Sequence, residues 1–457
     1  MVMSCEYNCK ECKNLECKSR NSTIEMLSNQ ENGVNILTKI EFPDEKPETY
    51  IEAEKKLKSC TGKGIVVDIG TTTIAMQLVS LASGEVENTY TTVNRQRIYG
   101  ADVISRIKAS IAGEKKALRE SIQSDLLVGI KQLAGSHITS VGQVIIAGNT
   151  TMIHLLMGYD CDALGVYPFT PVNIKTIEAT LDKLLDTDIC DAKVTIYPGI
   201  STYVGGDIVS GLLALGFAEK EKVSMLIDLG TNGEMAIGNK DRILVTSTAA
   251  GPAFEGGNIV GGVASVPGAI YSVDIDSGVP KVRTIGDKLA IGICGTGAIE
   301  LVAQLFENEL IDETGLFADE YFDEGFCLSE AKDGRKISIY QRDIREIQLA
   351  KAAVRAGVEI LISQYGMPYD KIEKVYIAGG FGYKMDIKKA LMIGLLPKEL
   401  AGKIEAVGNS CLGGAHKYLL KESSKRDIRC IIDSSLEVQL SNDKEFNDLY
   451  VKYMYFG

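Results

Sequence analysis

The sequence predicts an α/β protein whose body folds as two similar lobes. Two observations support this prediction. Residues 65–79 give a short apolar strand, an acid, a glycine turn rich in hydroxyls and a second strand, and residues 225–238 repeat that order. An Ile-Ala-Gly strand end follows each copy, within residues 143–151 and within residues 374–382. An internal repeat with helical stretches between its strands predicts two lobes of one architecture.

The chain begins with a cysteine-rich head, residues 1–20. Four of the eleven cysteines lie there in the spacing C-x3-C-x2-C-x4-C, namely Cys5, Cys9, Cys12 and Cys17. Four thiolates in so short a stretch can surround one metal centre. Because only Cys9 and Cys12 form a C-x2-C pair, the zinc-ribbon pattern is incomplete. We therefore predict an iron–sulfur cluster, with the four-iron type favoured, and zinc is the alternative.

A polar tether is expected at residues 21–60, a first lobe at 61–204 and a second lobe at 205–457. Two helical stretches rich in small residues, 204–217 and 408–420, lie at the junction and near the end. Glycine inside a helix costs roughly 1 kcal/mol relative to alanine, so a packing reason is expected. We predict that the two helices cross closely between the lobes, the second as a C-terminal crossing helix.

The two strand–turn–strand tips are candidate phosphate sites. Turn amides form a concavity that binds anions, and a carboxylate can hold a water of Mg²⁺. Two such tips facing each other across a cleft would hold the phosphates of one nucleotide. The candidates are Asp68, Gly70, Thr71, Thr72 and Thr73 in the first tip, and Asp228, Gly230, Thr231, Asn232 and Gly233 in the second.

Two further carboxylates, Glu234 and Glu255, are candidates for orienting the water that attacks a γ-phosphate. Glu234 follows the second tip, and Glu255 lies in a glycine-flanked loop. For each, the alternative is an ordinary surface or capping carboxylate. His154 and His416 lie in apolar helical contexts and are predicted to be core residues rather than ligands.

Composition and charge exclude some partners. The net charge of −12 argues against nucleic acid. No apolar run approaches the length of a membrane span, and residues 1–20 contain no signal-peptide core. We therefore expect a cytoplasmic protein with no membrane partner.

The tips and the small-residue helices follow one another along the chain in an order that resembles the one found in the superfamily of acetate kinase, sugar kinases, heat-shock chaperone ATPases and actin. That resemblance implies a two-lobed actin-like, ribonuclease-H-like ATPase fold. Six further segments are similar to the ATP-dependent reductive activators of corrinoid proteins. They are NRQRIYGADVISRI (94–107), AGNTTMIHLLMG (147–158), STAAGPAFEGGNI (247–259), GICGTGAIELVAQL (292–305), QRDIREIQLAKAAVRAGVEIL (341–361) and SNDKEFNDLYV (441–451).

The resemblance implies an enzyme that uses ATP to drive one electron uphill. The acceptor is a cob(II)amide on the corrinoid protein of a methyltransferase system, which is returned to cob(I)amide, and a low-potential donor supplies the electron. Both tips then bind Mg-ATP phosphates. The glycines Gly379, Gly380 and Gly382 correspond to the adenosine motif, where they let the backbone pass close to the base.

The chain departs from that family's pattern at the electron-entry end. Familiar members carry a ferredoxin domain or C-terminal cysteine motifs, whereas this chain has only the short head. Two other functions stay open: an activator of another iron–sulfur enzyme, of the 2-hydroxyacyl-CoA dehydratase type, and a non-redox actin-like or chaperone-like scaffold with a zinc clip. The sequence does not decide the oligomeric state, and a homodimer is compatible with it.

Overall fold

The computed structural model describes residues 62–379 and 385–457. The cysteine head, the tether, Gly380 and Gly382 therefore lie outside the described residues. The strands are β1 Lys63–Ile69, β2 Thr73–Ser80, β3 Val86–Val93, β4 Val141–Gly148, β5 Ile177–Thr180, β6 Lys193–Ile196, β7 Ser224–Leu229, β8 Gly233–Gly238, β9 Ile243–Thr248, β10 Ala269–Asp276, β11 Val279–Thr284, β12 Gly292–Ile293, β13 Phe326–Glu330, β14 Lys336–Ile339, β15 Lys374–Ala378, β16 Ile404–Gly408 and β17 Ser435–Glu437. The α-helices are α1 Val103–Ala109, α2 Lys115–Ala134, α3 Thr150–Met157, α4 Leu181–Leu185, α5 Gly206–Ala214, α6 Gly295–Glu307, α7 Asp319–Phe322, α8 Gln341–Tyr365, α9 Ile387–Met392, α10 Ser410–Leu420, α11 Ser424–Ser434 and α12 Phe446–Lys452.

The two large sheets have the same internal order. The first runs β3-β2-β1-β4-β6-β5, and the second runs β17-β9-β8-β7-β15-β16. In each sheet an antiparallel hairpin is followed by a parallel strand, and the registers match: Asp68 pairs with Ala147, and Asp228 pairs with Ala378. The internal repeat predicted from the sequence is confirmed. The boundary between the lobes at residues 204 and 205 stays a prediction.

Strand β1 is buried on both faces, as its continuous apolar run predicts. Ile65, Val67 and Ile69 face a core shared with α2 and α3. Val66 faces a second core that contains α5, α10 and residues of β7, β8 and β15. This second core includes residues of both sheets, so one apolar cluster joins the two lobes.

Helices α5 and α10 cross at this shared core, as their glycines predict. A Cβ atom on Gly414 would lie 1.8 Å from the backbone oxygen of Ser210, and one on Gly211 would lie 2.7 Å from Ser410 Oγ. The Ser210 hydroxyl donates to the backbone oxygen of Cys411 at 2.6 Å. The glycines therefore allow the two helices to approach until a side-chain hydroxyl of one donates to the backbone of the other.

The second lobe has an insertion between β9 and β15 that positions one loop. A short 3-10 helix, Pro252–Glu255, lies against the start of α6, where a Cβ on Gly295 would meet the backbone oxygen of Phe254 at 1.8 Å. Phe254 is fully buried, which anchors this turn to the core. Glu255 is thereby fixed at the edge of the cleft between the sheets.

A search of the described residues for a helix both long and apolar enough to cross a bilayer finds none.

The close crossing predicts that Gly414→Ala destabilises the protein. Alanine favours a helix by roughly 1 kcal/mol over glycine, but its Cβ would overlap the Ser210 backbone. We expect a net loss of about 1–3 kcal/mol of unfolding free energy, the usual cost of overpacking. Urea unfolding would measure it, with Gly142→Ala as control, since a Cβ there meets nothing within 4 Å. An unchanged midpoint for Gly414→Ala would contradict the crossing.

Candidate functional site

The two predicted tips face each other across the cleft between the sheets. In each turn, the glycine amide closes a tight loop: Gly70 N donates to Thr73 O at 3.0 Å, and Gly230 N donates to Asn232 O at 2.9 Å. The hydroxyls of Thr72 and Thr231 lie 3.4 Å apart. The structure therefore brings the hydroxyl-rich turns of both lobes together.

Glu255 bridges the two tips. Its Oε2 accepts hydrogen bonds from Thr72 Oγ1 at 2.9 Å and from Thr231 Oγ1 at 2.5 Å. One carboxylate thus contacts a hydroxyl from each lobe. Burial raises the pKa of Glu255, and the two hydroxyls and the charge of Arg106 oppose that rise.

Three asparagines hold the first tip, and the sequence analysis did not single them out. The Oδ1 of each asparagine accepts a hydrogen bond from a backbone amide at the start of a helix and so caps that helix. The Nδ2 of each donates a hydrogen bond to the tip. The capped elements are the 3-10 helix Arg95–Ile98, α3 and α10. The donations are Asn94 to Gly70 O at 3.0 Å, Asn149 to Thr71 Oγ1 at 3.0 Å, and Asn409 to Asp68 Oδ2 at 2.7 Å.

The cleft floor collects carboxylates from both lobes. Burial, helped by the charges of Asp207, Asp68 and Glu255, raises the pKa of Asp228 to about 8. Glu234 pairs with Asp228 across the β7–β8 hairpin, and burial with the charges of Asp207 and Asp228 raises its pKa well above the usual value. Acids of both lobes therefore raise the pKa values of the carboxylates at the second tip.

Asp207 belongs to this group although the sequence analysis missed it. It lies in the first turn of crossing helix α5. Burial and the charge of Asp68 raise its pKa to about 7, against the favourable hydrogen bond from the Ile208 amide. Burial raises the pKa of Asp68, and hydrogen bonds with Asn409 and Cys411 oppose that rise. The one local signal was an acid directly after the glycine pair at the helix start.

The third predicted motif adjoins the second tip. Gly379 has φ +100°, and a Cβ there would lie 2.4 Å from Leu229 O and 2.9 Å from Asp228 Oδ1. Only glycine fits this backbone and this space. Gly379 itself therefore lies directly beside Asp228, and the rest of the motif lies outside the described residues.

The donor set of the cleft fits Mg²⁺ bound together with phosphates. Mg²⁺ prefers oxygen ligands and is held by one or two carboxylates with substrate phosphates and waters. Across residues 62–379 and 385–457, no three acidic, histidine or cysteine side chains converge as a ready-made metal cluster. The carboxylates supply charge from both lobes and leave most coordination positions to other ligands.

Two of the three histidines, His154 and His416, are core residues, as predicted. Both are buried. The ring of His154 bonds Thr150 O at 2.8 Å and accepts from Val172 N, whereas His416 bonds Gly84 O at 2.9 Å. None of these hydrogen bonds is with a carboxylate of the cleft.

Two family profiles match consecutive parts of the chain. One, described as the RACo middle region, matches residues 63–220. The other, described as the C-terminal domain of RACo, the ASKHA domain, matches residues 222–457. Together they cover both sheets and both tips.

Named relatives agree with the profiles. The chain is 32% identical over 422 residues to the "Corrinoid activation enzyme RamQ" of Eubacterium limosum, covering 86% of this chain and 70% of that protein. It is 24% identical over 421 residues to "[Co(II) methylated amine-specific corrinoid protein] reductase" of Methanosarcina barkeri, covering 85% and 76%.

A solved structure named "Reductive activator for corrinoid,iron-sulfur protein" superposes with a TM-score of 0.80 at 36% identity. The match covers 87% of this chain and 66% of that one, so this chain spans about two thirds of its length. The shared part contains the two-lobed body.

Proposed function

The chain belongs to the RACo family, and from that premise we propose that it is an ATP-dependent reductive activase of a corrinoid protein. One electron passes to the cobalt of an inactive cob(II)amide and yields cob(I)amide. The observation that carries the proposal is the pair of phosphate tips, joined through Glu255 at 2.9 Å and 2.5 Å, in a chain that matches the family over both lobes.

In this proposal the tips hold Mg-ATP. Asp68 and Asp228 would hold the metal, which would neutralise phosphate charge. The turn amides and hydroxyls of Thr71, Thr72, Thr73, Gly230, Thr231, Asn232 and Gly233 contact phosphate oxygens, and Gly70 closes the first turn. Gly379, Gly380 and Gly382 are the proposed adenosine motif. The asparagine anchors keep the first tip rigid, so little ordering is required when the nucleotide binds.

Glu255 is the stronger candidate for orienting the attacking water. It lies between the hydroxyls of both lobes, whereas Glu234 lies within the β8 hairpin and accepts from Ser247 Oγ at 3.4 Å. A carboxylate can orient water for attack on a γ-phosphate without being a strong base. For Glu255 to do so, its contacts with Thr72 and Thr231 must give way as phosphates enter, which couples nucleotide binding to the spacing of the lobes.

The electron is proposed to reach cobalt from an iron–sulfur cluster on Cys5, Cys9, Cys12 and Cys17. These four thiolates would hold the cluster, which would supply one-electron transfer between a low-potential donor and Co(II). ATP is required because the reduction is uphill for ordinary donors. The support for this part is the cysteine spacing and the family, since these residues lie outside the described ranges.

The ATP part is tested with Asp68→Ala and Asp228→Ala. We expect each variant to lose ATP turnover at least about a hundredfold, because each removes a charge proposed to face the Mg-phosphate unit. Phosphate release under saturating Mg²⁺ would be the measurement, together with circular dichroism to verify folding. Asp276→Ala is the matched control, because Asp276 lies in an exposed hairpin of the lobe that contains Asp228. Undiminished turnover in either cleft variant would refute the assignment.

The electron part is tested with Cys9→Ser and Cys12→Ser in the full chain. We expect both to lose iron, sulfide and visible absorbance under anaerobic purification while nucleotide binding persists. Cys327→Ser is the control, since that thiol is exposed on β13. Retention of iron in the head variants would place the cluster elsewhere, and stoichiometric zinc in a colourless wild-type protein would favour the zinc alternative.

A further inference from the structure

Arg106 is a buried cation whose bonding is incomplete. Its side chain has no exposed surface. Nε donates to Gly100 O at 2.9 Å, and Nη1 donates to Met152 Sδ at 3.2 Å and to Gln96 Oε1 at 3.5 Å. Nη2 is buried with no hydrogen-bond partner. A buried donor left without an acceptor is costly, the more so on a charged group.

No carboxylate forms an ion pair with this guanidinium among the residues the structure describes. The nearest acid along the chain, Asp102, uses both oxygens to cap helix α1, accepting from Ser105 N at 2.7 Å and Ser105 Oγ at 2.9 Å. The hydrogen-bond partners of Arg106, namely Gly100 O, Gln96 Oε1 and Met152 Sδ, are all neutral. Because an unpaired buried charge is strongly destabilising, the position calls for an anion.

The guanidinium lies directly behind the first tip. Met152 Sδ, which accepts from Arg106 Nη1, also lies 3.5 Å from Asn94 Nδ2, and the same Nδ2 donates to Gly70 O at 3.0 Å. Asn94 N in turn donates to Thr72 O at 2.9 Å. One sulfur atom therefore links Arg106 to the residue that holds both ends of the phosphate turn.

The electrostatics agree with this placement. Burial lowers the pKa of Arg106 to about 10, and the charges of Asp102 and Glu255 act to raise it. Reciprocally, the charge of Arg106 lowers the pKa of Glu255. The charges of Arg106 and Glu255 therefore act on each other, although the two residues belong to different lobes.

We propose that Arg106 recognises the terminal phosphate of ATP and thereby distinguishes ATP from ADP. A phosphoryl oxygen beside Thr72 would give Nη2 its missing acceptor and the buried cation its missing anion. Arginine suits this task because its planar fork can keep the Gly100 and Gln96 contacts while a further N–H donates to phosphate. This inference rests on the proposed nucleotide site and adds a γ-phosphate contact to it.

The test compares the affinities for ATP and for ADP, both with Mg²⁺, in the wild type and in Arg106→Gln. We expect the ratio of ADP to ATP dissociation constants to fall about tenfold or more, as for loss of a charge-assisted bond. Structural damage alone would weaken both nucleotides and leave the ratio unchanged. Arg95→Gln is the matched control, since Arg95 lies in the same segment but pairs with Asp125 and Ser124. Its ratio should equal the wild-type value.

An unchanged ratio in folded Arg106→Gln would overturn the inference. Should that variant fail to fold, Arg106→Met carries the test, because methionine keeps the apolar length of the side chain, removes the buried charge and has no N–H to donate to phosphate. A lowered ratio in Arg106→Met supports the inference, and a wild-type ratio overturns it. A wild-type protein that binds neither nucleotide would instead refute the proposed function itself.

Discussion

The accumulation of carboxylates where the two lobes meet is the constraint on which the site depends. Burial raises the pKa values of Asp68 from the first sheet, Asp207 from the crossing helix and Asp228 from the second sheet. The charge of Asp68 also raises the pKa of Asp207, and the charges of Asp207 and Asp68 also raise that of Asp228. Such a group is unfavourable when ionised and alone. A divalent cation with phosphates reverses the sign of that interaction, because it favours the ionised forms. The cleft is thereby suited to bind a charged ligand that contacts both lobes at once.

The fold makes this local chemistry a property of the whole body. One apolar cluster contains residues of both sheets and of helices α5 and α10. The same two helices carry Asp207 and the asparagine that holds Asp68. A change in the spacing of the tips must therefore be accommodated at the glycine crossing. The glycine crossing can couple nucleotide binding to partner binding only if it has two arrangements. Each ligand must then bind the two arrangements with different affinity.

Local patterns predicted the repeat, the tips and the crossing because each depends on neighbouring residues. Val66 and Asp68 read as a buried strand with an acid at its end, and the register of β1 bears this out. Asp207, Arg106 and the capping asparagines were missed as site residues because their relevance comes from contacts between distant elements. Asn409 meets Asp68 across 341 positions, for example. A lone asparagine or arginine carries no periodicity that reveals such a partner.

The proposed function requires that ATP turnover respond to the redox state of a corrinoid partner. The most direct measurement is the ATPase rate of the full chain with a corrinoid protein from the same organism, held either as cob(II)amide or in its methylated form. We expect stimulation by the cob(II) form and none by the methylated form, since an activator must recognise the inactive state. Equal rates with both forms and without any corrinoid protein would contradict it.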